Sequence, residues 1–211
     1  MEGVGERLPP GQKETRGWPI LHAGSVPPLH KGNWTLEVSG EGVENPLSIN
    51  YDTFFELPQT RVGCDIHCVT SWSKFGMNWE GVRFLDLMDR ARPNDKARYV
   101  VMECEEGWTT SLPMEDLMRE DVLLAYRVDG QDLTTAHGGP VRMLIPHKYF
   151  YKSAKWLRGL RIQEEDEPGF WEVRGYSNTA DPWTEDRYVY SRPVEALKEA
   201  LFSGRKAEYK K

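Results

Sequence analysis

A chain of 211 residues with 39% hydrophobic and 28% charged side chains is long enough for one domain with a sizeable core. A formal net charge of −6 argues against a broad nucleic-acid surface, no apolar run approaches the ~18 residues of a membrane span, and the N-terminus has no apolar signal core. Three cysteines, an odd and sparse set, argue against a disulfide framework and point to a reducing compartment, the cytoplasm.

Residues 1–17 are polar and rich in Gly and Pro, and read as a loose arm before a single domain over 18–211. The next segment, WPILHAGSVPPLHKGNW, is broken by proline and glycine yet carries Trp18, Ile20, Leu21, Val26 and Leu29, so it should pack against something. Trp34, Leu36 and Val38 alternate with Thr35 and Glu37, which predicts a strand; after a turn, Leu47 and Ile49 begin another. YDTFFELP predicts a short helix stopped by Pro58. RVGCDIHCV predicts a strand with Val62, Cys64, Ile66 and Cys68 on one face, followed by a tryptophan-rich loop. VRFLDLMDRA has helical spacing at Val82, Leu85, Leu87 and Met88. RYVVMECEEGW, DVLLAYRV with its Asp-Gly turn, VRMLIP and FWEVRGYS predict strands, and LPMEDLMRE opens a helix behind Pro113. Residues 148–161 fit either a helix or a loop leading to a strand, and 192–204 predict an amphipathic helix ended by Gly204. The sum is a β-rich mixed α+β fold.

Two patterns bear on chemistry. Cys64, His67, Cys68 and Cys104 invite a zinc reading, but Cys64 and Cys68 lie about 13 Å apart on an extended strand and His67 points to the other face. Cys64 and Cys104 therefore read as small buried hydrophobes. Residues 137–161 hold Arg142, Lys148, Lys152, Lys155, Arg158 and Arg161 with no Asp or Glu, interleaved with histidines and aromatics. With Gly138 and Gly139 permitting close backbone approach, this composition suits a small anion such as a phosphate group. The eight tryptophans, more than packing requires, hint at a walled pocket.

The motifs DIHCVTSWS with Cys68, Trp79-Glu80-Gly81-Val82, HGGPVR at 137–142, KSAKW at 152–156 and FWEVRGY at 170–176 together resemble the sulfite oxidase family of molybdopterin oxidoreductases, in that family's order, across roughly residues 18–190. The likeness is to the short bacterial and archaeal members that consist of the molybdenum domain alone. The resemblance implies a molybdenum-molybdopterin cofactor whose metal is bound by the Cys68 thiolate, and oxygen-atom transfer to or from a small substrate. It implies that His137, Arg142, Lys152, Ser153 and Lys155 hold the pterin or its phosphate, that His22 lies beside the metal, and that Trp79 and Tyr176 line the substrate pocket. Lacking a haem or cluster motif, the chain would need a separate electron donor or acceptor protein. Two departures stand out: Ser73 occupies the place of a sulfite-binding arginine five residues after the cysteine, and His22 that of a second. Bidentate arginines suit an anion such as sulfite, so a neutral S-oxide or N-oxide fits at least as well. The rival readings are a non-catalytic pterin or phosphate-binding module and a small zinc-stabilised interaction domain.

Overall fold

The computed structural model describes residues 7–189. Five strands form one sheet in the order β3 (Leu47–Asn50), β2 (Thr35–Ser39), β11 (Leu157–Gln163), β6 (Tyr99–Cys104) and β7 (Thr109–Pro113), with β11 parallel to β2 and the other pairs antiparallel. In the other sheet β5 (Trp72–Arg83) is the hub. It pairs antiparallel with β4 (Gln59–Cys68) and β8 (Leu123–Val128) and parallel with β1 (Lys13–Glu14). Strands β10 (Arg142–Leu144) and β9 (Gln131–Asp132) add to β8.

The period-two rule explains the packing. Leu36 and Val38 of β2 alternate with exposed Thr35 and Glu37 and bury into a main core shared by both sheets, where they join Val100 and Met102, Leu160 and Ile162, and Leu124. Strand β8 is covered on both faces: Leu124 and Tyr126 enter that core, while Leu123 and Ala125 enter a second cluster with Ile66, Met77 and Trp79. That double burial is why VLLAY reads as a continuous apolar run. Helix α1 (Tyr51–Phe54) starts at Asn50, whose side chain accepts from the Thr53 N–H at 2.9 Å. Helix α2 (Phe84–Ala91) buries Phe84, Leu87, Met88 and Ala91, a face one step round from the one expected, leaving Leu85 only half-buried. Helix α3 (Met114–Leu117) begins behind Pro113.

Three expectations are corrected and one open alternative is decided. The tryptophan-rich stretch after Cys68 is not a loop but the start of β5, the longest strand. Its period is obscured by a bulge opposite Asp65, where the Gly76 N–H donates to Asp65 Oδ1 at 2.8 Å and Gly76 takes φ 66. Within the stretch read as a loose arm, Lys13–Glu14 pair with Trp72–Ser73 and Gln12 is buried. FWEVRGYS forms a 3₁₀ turn, Glu172–Arg174, rather than a strand. Residues 148–161 resolve as loop then strand. The amphipathic stretch 192–204 lies outside the described residues.

The 3₁₀ turn is locked by charge. Lys152 Nζ lies 2.5 Å from Glu172 Oε1 and donates to the Ser111 carbonyl at 2.8 Å and Asn178 Oδ1 at 3.0 Å, with both charged side chains almost fully buried. Thr110 adds a 2.6 Å bond to Glu172. Removing one member of such a pair strands the other charge in the interior. Lys152→Met should therefore destabilise the protein by about 3–5 kcal/mol in urea unfolding, and Lys152→Met with Glu172→Leu should recover much of that loss.

Candidate cofactor site

Strand β4 ends at Cys68, where a three-residue turn, 69–71, reverses the chain into β5. The Ser71 N–H donates to the Cys68 carbonyl at 3.0 Å, and Ser71 takes the left-handed conformation, φ 72, that such hairpins use. A buried polar chain fixes this end from behind. Gln12 Nε2 donates to the Cys68 carbonyl at 3.0 Å, Ser73 Oγ donates to Gln12 Oε1 at 3.4 Å, and His67 Nδ1 lies 2.8 Å from Ser73 Oγ. Burial lowers the pKa of His67, which favours the neutral ring.

Cys68 lines a cavity of about 520 Å³. Both sheets contribute to it: Cys104 ends β6 and Arg142 begins β10. Five of the eight tryptophans (Trp18, Trp72, Trp108, Trp156 and Trp171) stand in its wall, so the tryptophan excess builds this cavity more than the core. Burial pushes the Cys68 thiol up, while the Thr70 hydroxyl, 3.1 Å from Sγ, and the Thr70 and Val69 amides pull the other way.

The basic segment divides into two classes. Lys148 pairs with Asp116 at 2.8 Å, Lys152 with Glu172, Arg158 with Glu105 at 3.0 Å and Arg161 with Glu103 at 2.8 Å. Arg142 and Lys155 have no carboxylate partner among the described residues, and both line the cavity. The Arg142 guanidinium is buried, donates to the carbonyls of Met143, His137 and Ser153, and lies 4.3 Å from the Phe150 ring centroid. Lys155 donates to the carbonyls of Leu21 and Ala136 at 2.9 Å. Burial, with Arg142 nearby, pushes Lys155 down to about 7. Guanidinium has five N–H donors and ammonium three, so both cations keep donors for an anion.

His137 stacks on Trp18 at 3.8 Å and donates from Nε2 to the Trp18 carbonyl at 3.3 Å, and burial lowers its pKa. Ser153 is buried on the wall, its Oγ accepting the Ile145 N–H at 2.9 Å. His22 is exposed at the cavity, its Nδ1–H donating to the Gly24 carbonyl at 3.0 Å. Tyr176 also lines the cavity, with its ring centroid 5.0 Å from that of Trp171. The structure thus brings Cys68, His22, His137, Arg142, Ser153, Lys155 and Tyr176 to one cavity.

Two expected residues do not join them. Lys152 is spent on Glu172, and Trp79 is a fully buried core residue behind Trp18, with ring centroids 5.4 Å apart. Alternating strand residues share their local sequence with pocket residues, so sequence alone did not separate Trp79 from Trp72. Cys104, expected as core filler, does pack on the core but presents one side to the cavity near Arg142, its thiol pushed up to about 12 by burial. Trp18, Trp108 and Trp171 were unassigned in sequence; only their number hinted at a role.

The family model for the oxidoreductase molybdopterin-binding domain matches residues 23–171. The uncharacterized oxidoreductase YuiH of Bacillus subtilis (strain 168) is 43% identical over 185 residues, 87% of this chain and 93% of that protein. The putative protein-methionine-sulfoxide reductase subunit YedZ1 of Azospira oryzae is 30% identical over 145 residues, 69% of this chain and 55% of that protein. Among solved structures, the sulfane dehydrogenase SoxCD from Paracoccus pantotrophus shares the fold with a TM-score of 0.61 and 24% identity, over 66% of this chain and 40% of that one.

The Lys155 charge gives a pH test. An anion stabilises the protonated ammonium, whose pKa in the empty protein is about 7, so binding weakens as pH rises through that value. Sulfate, whose own charge is constant here, should bind the cofactor-free protein about tenfold more tightly at pH 6 than at pH 8 by calorimetry, and Lys155→Met should remove that dependence.

Proposed function

The chain belongs to the family of oxidoreductases with a molybdopterin-binding domain, and from that premise we propose that it is a molybdenum-molybdopterin enzyme that reduces a neutral S-oxide. The observation that carries this reading is the meeting, in one cavity, of the Cys68 thiol at the end of a strand with two cations, buried Arg142 and half-buried Lys155, that have no carboxylate partner among the described residues. The residues present fit the cofactor. A soft thiolate suits molybdenum, unpaired cations with free donors suit a phosphate, and aromatic walls suit a flat pterin. Cys68 would hold the metal; Arg142 and Lys155, with His137 and Ser153 beside them, would hold the pterin phosphate. When bound, the group supplies two-electron oxygen-atom transfer chemistry.

The rest belongs to the protein. Tyr176 faces the same cavity, and burial raises its pKa, so its phenol stays protonated and can donate to a substrate oxygen. Ser73, in the place of a sulfite-binding arginine, is fully buried on the His67 side and bonds to His67 and Gln12. His22, in the other such place, spends its Nδ1–H on Gly24. Near Cys68 and Tyr176 the wall is Val69, Trp72, Tyr151 and Trp171, none of them cationic, and the neighbouring Arg187 lies outside the lining, donating to the Val69 carbonyl and pairing with Glu185. Such a wall favours a neutral S-oxide over sulfite, and the Azospira relative is named a putative protein-methionine-sulfoxide reductase subunit. The balanced reaction is R₂SO plus two electrons and two protons giving R₂S and water. The electrons come from a separate donor protein in a reducing compartment, where the three free cysteines persist.

The deciding experiment is metal analysis of wild type and Cys68→Ala from molybdate-supplemented cells that make molybdopterin. Near-stoichiometric molybdenum in wild type and an altered molybdenum spectrum in the variant are expected; zinc, or no metal from such cells, would overturn the reading. With a reduced viologen as donor, the loaded enzyme should consume methionine sulfoxide. Tyr176→Phe should lower turnover about 100-fold with molybdenum content unchanged.

A further inference from the structure

The turn that follows Cys68 contains a hydroxyl that the turn itself does not need. Val69 is buried and Ser71 supplies the left-handed corner, but Thr70 is exposed on the cavity wall and packs in no core cluster. Among the described residues its hydroxyl has one hydrogen-bond partner, Cys68 Sγ at 3.1 Å. In the free thiol either atom can donate. Once the sulfur is a metal thiolate it has no proton, so the Thr70 O–H must be the donor and the sulfur the acceptor.

Resting on the proposed molybdenum site, we propose that Thr70 is a positioning residue that acts through the Cys68 sulfur and raises the reduction potential of the metal held there. The hydroxyl draws electron density from the metal–sulfur bond. The sulfur is richer in electrons when the metal is reduced, so the hydrogen bond is stronger in that state and stabilises it. Thr70 needs no contact with substrate, and the inference concerns potential rather than loading.

The test is a redox titration of the molybdenum-loaded full chain, followed by the electron paramagnetic resonance of the one-electron state, in wild type, Thr70→Val, Thr70→Ala and Thr70→Ser. Valine keeps the branched shape and removes only the donor. Both Thr70→Val and Thr70→Ala should make one-electron reduction about tenfold less favourable, about 59 mV, at unchanged molybdenum content. Thr70→Ser should match wild type. An unchanged potential in the loaded valine and alanine variants would overturn the inference while leaving the molybdenum site intact. A shift in the valine variant alone would overturn it as an effect of shape, and failure of both variants to hold metal would overturn it as a requirement for loading. Absence of molybdenum from wild type would instead remove the functional reading, and this inference with it.

Discussion

A guanidinium kept inside a protein with no carboxylate beside it among the described residues is the constraint on which this site depends. Arg142 is buried, and burial alone pushes its pKa down. It holds its charge by donating to three backbone carbonyls and lying against Phe150 and Trp18. Those carbonyls belong to Met143, His137 and Ser153, so the same side chain ties together three separate points of the basic segment. Lys155 repeats the device nearby, and through the Leu21 carbonyl it pins the irregular segment 18–23 against the cavity. Partial backbone charges make the Arg142 cation tolerable without neutralising it, and Lys155, pushed down to about 7, adds its charge as pH falls below that value.

The contrast with Lys152 makes the point. Only three residues before Lys155, it is fully buried where Lys155 is half-buried, it meets Glu172, and its charge goes into holding the 3₁₀ turn that leads to Tyr176. One buried lysine shapes the wall and its neighbour stays available to a ligand. Proximity in sequence does not distinguish them; the presence of a carboxylate on a segment some twenty residues downstream does.

The thiol end is built on a different principle. Two long strands meet at a tight turn, and the geometry of that turn aims a sulfur into the cavity while Gln12, Ser73 and His67 fasten the backbone from the far side. The N-terminal stretch thereby becomes part of the site's support, because Gln12 reaches Cys68 only when Lys13–Glu14 lie along β5. Trp18, Trp72, Trp108, Trp156 and Trp171 stand in the wall of the same cavity. The result is a cavity walled mainly by apolar and aromatic side chains that also presents Cys68, Arg142 and Lys155.

Much of this was legible in the chain. The alternation in β2, the cap and stop of α1, the apolar run of β8 and the Asp-Gly turn after it declare themselves through local periodicity and turn chemistry. So does the concentration of positive charge at 137–161, and the ordered motifs around Cys68 identify the family. Other features rest on contacts distant in sequence. The bulge at Gly76 hid β5, the parallel pairing of Lys13–Glu14 ordered an arm that looks featureless, and Glu172 sits on a segment that resembles a strand. Composition places six cations in one segment, but a charge is free or paired only according to what folds against it. The tertiary structure alone assigned Lys148, Lys152, Arg158 and Arg161 to carboxylates and left Arg142 and Lys155 to the cavity.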